Sequence, residues 1–285
     1  MRVIDLITTA SEHLKEKDFE NSRLEVEHLL GSVLGLSRIN LYMEFDRPVT
    51  EQELDQFRTL YRRRLAREPL QYILGSTEFR ELEIKTDRRA LIPRQETELL
   101  VQTAVDFLKE RRNPLVADLG TGTGVIALSI AYEIPGAHVV AVDISNDALM
   151  LTEQNARKLG LEKSVTLVTG DMLNGIRNYG PFDSILSNPP YVKSHHIETL
   201  QSEISDYEPK GALDGGSDGL RYLNSIAEDA HCHLKSGGML LLECEGDQAQ
   251  SVKKTIDAKG AYSKVDILKD LASKDRIVRA YCKEK

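Results

Sequence analysis

The hydrophobic positions of the chain change period partway along it. Val3, Ile4, Ile7, Ala10 and Leu14 recur at helical spacing and form one stripe. Ser22 and Glu25 have capping-box spacing ahead of Val26, Leu29, Leu30, Val33 and Leu34, which predicts a second amphipathic helix. Thr50 and Glu53 repeat that signature before Leu54, Phe57, Tyr61 and Leu65, a third helix that Pro69 is expected to end. Over residues 76–92 the period shortens: Phe79, Leu82 and Ile84 stand among Glu81, Glu83 and Lys85, as in a hairpin. Leu91-Ile92-Pro93 then leads through Arg94-Gln95-Glu96-Thr97-Glu98 into a helix carrying Leu99, Leu100, Ala104, Phe107 and Leu108.

From residue 115 onward, strand and helix alternate. Strands are expected at Leu115–Asp118, at His138–Val142 ending on Asp143, at Val165–Val168 ending on Asp171, at Ile185-Leu186 and at Met239–Leu242. Between them fall helices through Val125–Ile130, from a Ser145 cap to Gly160, over 219–234 and over 247–259. That alternation implies βαβ units and a mostly parallel, Rossmann-like sheet. No helical segment separates the closing strands near 263–268 and 276–282, so they are expected to pair antiparallel. The predicted organisation is a helical domain over 1–73, a hairpin and linker helix over 74–112, and an α/β domain over 113–285.

Composition narrows the class without deciding it. Of the 285 residues, 41% are hydrophobic and 29% charged, and the net charge is −8, as in a soluble globular protein. Residues 1–92 contain 15 basic and 17 acidic side chains, so no basic surplus points to non-specific nucleic-acid binding. No apolar run approaches the ~18 residues of a membrane helix, and no signal-peptide core follows the N-terminus. Cys232, Cys244 and Cys282 have neither metal-ligand spacing nor an even count, and read as reduced, buried residues of a cytoplasmic protein. A monomer is expected. Arg58, Arg62, Arg63, Arg64 and Arg67 leave two readings open: a solvated face with i,i+4 pairs, or an electropositive patch for an acidic partner.

The chemistry concentrates at strand ends. Asp118-Leu119-Gly120-Thr121-Gly122-Thr123-Gly124 is a glycine-rich turn whose backbone a ligand can approach closely. Its Gly-x-Gly-x-Gly spacing lacks the full dinucleotide fingerprint, and the acid before it would suit the cationic amino-acid end of S-adenosylmethionine, directly or through water. Asp143 is placed to take both ribose hydroxyls, and Asp171-Met172 to reach the adenine; helix caps or loop carboxylates are the plainer alternative for both acids. Ser187-Asn188-Pro189-Pro190-Tyr191 stops a buried strand at two prolines, which cannot donate to a ladder. By chance, Asn-Pro-Pro-Tyr would arise in about one chain in a thousand of this length. The Asn188 side-chain oxygen and the Pro189 carbonyl can accept both protons of an incoming –NH2, orient its nitrogen and stabilise the charge that develops on it. Tyr191 can wall the slot by stacking on a planar amide.

These motifs resemble the protein-(glutamine) methyltransferases that modify peptide chain release factors, the PrmC/HemK family. The matching stretches are Glu68–Gly75, Glu78-Phe79, Leu91–Arg94 with Glu96–Glu98, Asp118–Gly124, Ser187–Tyr191, Gly215-Gly216 with Asp218–Leu220, and Glu243–Gln248. The resemblance implies the class I S-adenosylmethionine-dependent methyltransferase fold, with an antiparallel final strand, behind a small all-α domain that grips the substrate. It implies methylation of the glutamine side-chain amide in the Gly-Gly-Gln loop of class 1 release factors. It also implies that residues 120–124 (Gly120, Thr121, Gly122, Thr123, Gly124), Asp143, Met172 and Asn188 contact the cofactor, while Asn188, Pro189, Pro190 and Tyr191 hold the glutamine. Many members have an aromatic residue where this chain has Met172, so a thioether contact would replace ring stacking on adenine. Asn-Pro-Pro-Tyr is shared with adenine and cytosine amino-methyltransferases of nucleic acids, the rival reading.

Overall fold

The computed structural model describes residues 1–284, and their contacts divide them into two units. The first comprises Met1–Gly75 together with Ser202–Tyr207. Its helices are α1 (Val3–Glu16), α2 (Ser22–Leu34), α3 (Arg38–Met43), α4 (Glu51–Leu65) and α5 (Leu70–Leu74), with α9 (Ser202–Ser205) joining from later in the chain. Val3, Ile7, Leu14, Val26, Leu29, Leu30, Leu41 and Phe57 pack into one core. Each such burial is worth roughly 1.5–3 kcal/mol.

Several local expectations for this unit are corrected. Thr50 and Glu53 do form a capping box at the start of α4. Ser22 does not cap α2; Asn21 takes the cap position with no side-chain bond, because Glu25 is drawn away to Arg64. The α4 helix ends at Leu65, and Arg67 at φ 67° turns the chain, so Pro69 precedes α5 instead of ending α4. The arginine cluster is largely consumed inside the unit. Arg64 is buried and pairs with Glu25 and Glu203, Arg67 also reaches Glu203, Arg63 holds Glu68, and Arg58 pairs with Asp55. An open electropositive patch does not exist at those four side chains. Arg64→Ala would leave Glu25 without its partner and Glu203 with Arg67 alone, and is expected to destabilise this unit by about 3 kcal/mol, read as an earlier thermal transition.

The second unit comprises Ser76–Gln201 and Glu208–Lys285. It runs β1 (Ser76–Phe79), β2 (Leu82–Lys85), α6 (Thr97–Leu108), β3 (Leu115–Leu119), α7 (Val125–Glu133), β4 (His138–Asp143), α8 (Asn146–Leu159), β5 (Val165–Thr169) and β6 (Phe182–Ser187). After the excursion to α9 come α10 (Arg221–Asp229), β7 (Leu234–Glu243), α11 (Ala249–Ala258), β8 (Tyr262–Lys269) and β9 (Asp275–Cys282). The hairpin β1–β2 and α6 belong to this unit's own core: Phe79, Leu82, Ile84, Leu100 and Leu108 pack with Val116, Leu186 and Leu241 of the sheet.

Seven strands form a sheet of order β5-β4-β3-β6-β7-β9-β8. Its first five strands are parallel, and β9 runs antiparallel to both neighbours, as the two closing strands suggested. Alternate residues face opposite layers: Val116 and Leu241 meet α6 and α7, whereas Ala117, Ile185 and Leu240 meet α10 and α11. The strand order turns at β3 and β6, so the crevice for a ligand lies beyond their carboxyl ends. Two boundaries differ from expectation. The helix expected over 219–234 stops at Asp229, and β7 starts at Leu234, where it pairs with Phe182 before a register shift. Cys244 and Cys282 are buried, but Cys232 is exposed. Among the described residues no helix is long and apolar enough to cross a membrane.

Candidate functional site

Strand pairing puts two loops side by side. Leu119, the last residue of β3, is in register with Ser187, the last of β6, so the glycine turn and Asn188 leave adjacent strand ends together. The Ser187 hydroxyl also donates to the Leu119 carbonyl at 2.7 Å, which fastens the two exits. Gly124 must be glycine: its φ is 84°, and a Cβ there would lie 2.6 Å from Thr152 Cγ2.

An open cleft lies over these loops, at the carboxyl ends of β3, β4, β5 and β6. Of the residues singled out from sequence, Gly120, Thr121, Gly122, Thr123, Asp143, Asp171, Met172, Asn188 and Pro190 line it. Gly124, Pro189 and Tyr191 do not; Gly124 caps α7, and the half-buried Tyr191 has its hydroxyl pushed upward by burial. The sequence did not single out Leu91–Pro93, Thr97, Ile144, Ala148, Gly211 or Tyr222 as lining positions.

Each acid has a distinct environment. Asp143 ends β4 and lines the cleft; one oxygen accepts from the Gly122 amide at 2.9 Å and the other from the Ser145 amide at 2.9 Å. Burial raises its carboxyl above the ordinary range, against those backbone bonds. Each oxygen retains lone-pair capacity towards the cleft, which suits a vicinal diol. Asp118 departs from expectation: it is fully buried and turned into the loop. One of its oxygens accepts from the Thr121 hydroxyl at 2.6 Å and the Ala127 amide at 3.1 Å, and burial pushes the group up to about 7. Asp118 therefore fastens the turn and does not line the cleft. Met172 holds a positive φ of 45°, an unfavoured conformation for a side-chain residue, with its thioether near Gly120.

Arg94 settles into structure as well as lining. It pairs with the buried Glu208 at 2.5 Å and so ties the 89–94 wall to the 209–212 wall. Behind Asn188, Gly215 and Gly219 let a second loop come against Tyr191. A Cβ at Gly219 would fall 2.3 Å from the Tyr191 carbonyl, and Gly215 donates to Val192 O at 2.8 Å. Gln248 completes the staple by donating to Tyr191 O at 2.8 Å and Gly219 O at 3.2 Å. Gln248→Leu would leave those carbonyls unpaired and is expected to cost about 1–3 kcal/mol, seen as a Tm lowered by several degrees.

A mostly parallel sheet with an antiparallel final strand, a glycine turn after β3 and an acid at the end of β4 defines a class I S-adenosylmethionine-dependent methyltransferase. Comparison with known proteins agrees. Residues 95–205 match the family model for a methyltransferase small domain, and residues 5–75 match that for a PrmC N-terminal domain. The chain is 44% identical to a release factor glutamine methyltransferase from Geobacter sulfurreducens, over 84% of this chain and 83% of that one. It is 38% identical to one from Chlorobaculum tepidum, over 96% of this chain and 95% of that one. A solved methyltransferase from Pyrococcus furiosus shares the fold at a TM-score of 0.52 and 21% identity, covering 81% of this chain and 99% of that one. The chain belongs to the release factor glutamine methyltransferase family.

Proposed function

We propose that the chain methylates the side-chain amide nitrogen of the glutamine in the Gly-Gly-Gln motif of class 1 peptide chain release factors. One observation carries this reading. Asn188 stands at the cleft with its amide Nδ2 donating to Thr97 Oγ1 at 3.1 Å, which leaves Oδ1 as the acceptor offered to the cleft.

The residues fit the cofactor by their chemistry. Asp143 has acceptor capacity for a ribose diol, the Gly120–Thr123 turn offers close backbone approach, and Met172 supplies a soft apolar contact for a ring. S-Adenosylmethionine, when bound, supplies an electrophilic methyl group. An amide nitrogen is a weak nucleophile because its lone pair is delocalised, so the protein must position it and stabilise the developing positive charge. Asn188 Oδ1 accepts an N–H of the amide, turns the lone pair towards the methyl, and attracts a proton that becomes more acidic as the N–C bond forms. The apolar wall of Leu91, Ile92 and Pro93 keeps water from competing as methyl acceptor.

A transfer assay with tritium-labelled methyl donor tests the proposal, using purified release factor, its Gly-Gly-Gln→Gly-Gly-Ala variant and DNA side by side. Label on the wild-type factor alone is expected. Label on DNA would move the protein to the nucleic-acid amino-methyltransferases, and equal label on the alanine variant would sink the acceptor assignment.

A further inference from the structure

Asn188 can serve as described only with its oxygen towards the substrate. The two ends of a carboxamide are nearly isosteric, so an asparagine can fit its slot either way round. Flipped, it would present Nδ2 to the incoming –NH2, donor against donor. Some other group must therefore choose the orientation.

Thr97 contacts Asn188 directly. It is the first residue of α6, is 2% exposed, and accepts from Asn188 Nδ2. A hydroxyl has one proton, and its effect on Asn188 depends on where that proton goes. Glu243, the last residue of β7, is within its reach: Leu242 is in register with Ser187, so Glu243 leaves its strand beside Asn188, and the Thr97 side chain is among the groups that favour its charged form. Glu243 is 1% exposed, and its Oε2 has no hydrogen-bond partner. A buried carboxylate is expensive unless it is used. Ionised, it can only accept, so it claims the Thr97 proton and leaves that hydroxyl only lone pairs to offer Asn188.

We propose that Glu243 and Thr97 are positioning residues that set the orientation of the Asn188 carboxamide. The inference rests on the reading that Asn188 receives the acceptor amide. Ionised Glu243 turns Thr97 into an acceptor, Thr97 fixes Nδ2, and Oδ1 faces the substrate. Protonated Glu243 can donate to Thr97, which frees the Thr97 proton for Asn188 Oδ1 and favours the unproductive flip. Burial pushes Glu243 up to about 7, while Arg276 on β9 and Arg94 before α6 oppose the shift and Glu96 adds to it; Tyr191 and Cys244 are the other titratable groups beside it.

The test is a set of variants with kcat measured from pH 6 to 8.5, and with cofactor Kd and Tm recorded for each to establish folding. Glu243→Met leaves the Thr97 proton to Asn188 Oδ1 and is expected to lower kcat on the order of 30–100-fold. Thr97→Val removes the orienting bond in both senses and is expected to lower kcat only about 3–10-fold. The double variant should then be faster than Glu243→Met alone, because the wrong-way lock is gone. Glu243→Gln can still accept from Thr97; it should exceed the Met variant about tenfold and lose the wild-type fall in kcat below pH 7. Equal Met and Gln variants, additive losses in the double variant, or an unchanged acid limb in Glu243→Gln would each overturn the relay. If Glu243→Met fails to fold, the Gln pH profile decides. Asn188→Ala run alongside separates the levels: normal transfer there would refute the acceptor reading, whereas its loss beside fast Glu243→Met and Thr97→Val would refute the relay alone.

Discussion

Asn188→Ala is expected to lower methyl transfer by at least ~10³-fold while the dissociation constant for S-adenosylmethionine changes by less than about fivefold. The asymmetry follows from where the side chain stands. Asn188 follows the fully buried β6 and is held by the Ser187–Leu119 bond below and the Gln248 staple behind, so truncation removes an acceptor without loosening the loop. A weak nucleophile depends heavily on that acceptor, whereas the Asp143 and Gly120–Thr123 side of the cleft is untouched. Single-turnover transfer with calorimetric cofactor binding checks it. A parallel collapse of both quantities would assign Asn188 to the cofactor instead.

Asp143→Ala should show the opposite pattern. Two hydrogen bonds from hydroxyls to a charged acceptor are worth on the order of 3–4 kcal/mol, so the cofactor Kd should rise ~10²–10³-fold. Part of the loss comes from the turn itself, since the Gly122 amide loses its acceptor. At saturating cofactor, kcat should recover most of its value. The wild-type protein should also lose cofactor affinity on acidification earlier than an exposed aspartate would require. Burial raises the Asp143 carboxyl, so its charge is complete above the raised value and is lost as pH falls through it. An affinity independent of pH, or a Kd unmoved in the variant, would remove Asp143 from the ribose.

The sequence displayed most of the second unit because its signals are local. Period-two runs, the Ser145 cap and Gly160 stop of α8, and paired prolines after β6 each act within a few residues of where they are read. That Gly120–Thr123, Asp143 and Asn188 would meet in one cleft was legible for the same reason: topology alone brings strand ends of a parallel sheet to one edge. What escaped was long-range pairing. Glu25 has the right spacing to cap α2, yet Arg64, 39 residues away, claims it. Arg63, Arg64 and Arg67 read as a surface cluster because nothing local reveals Glu203 as a partner. Asp118 precedes a ligand loop and by sequence suits a cationic ligand group, directly or through water, but one carboxylate oxygen is taken by Thr121 and Ala127 within the turn, a contact no local period displays. Thr97 and Glu243 lie in stretches that carry the family resemblance; that they come together beside Asn188 has no sequence period at all.

The position of β9 has a consequence for truncation. It lies between β7 and β8, and β8 has no other strand neighbour in the sheet. Ending the chain at residue 274 would therefore remove two ladders, not one, and set β8 adrift along with the lost strand. The uncovered edge would be Met239–Leu242, four consecutive apolar residues with free backbone groups, a template for pairing between chains. A nonsense change this close to the end of the described chain would act less like trimming a terminus than like opening the middle of a sheet.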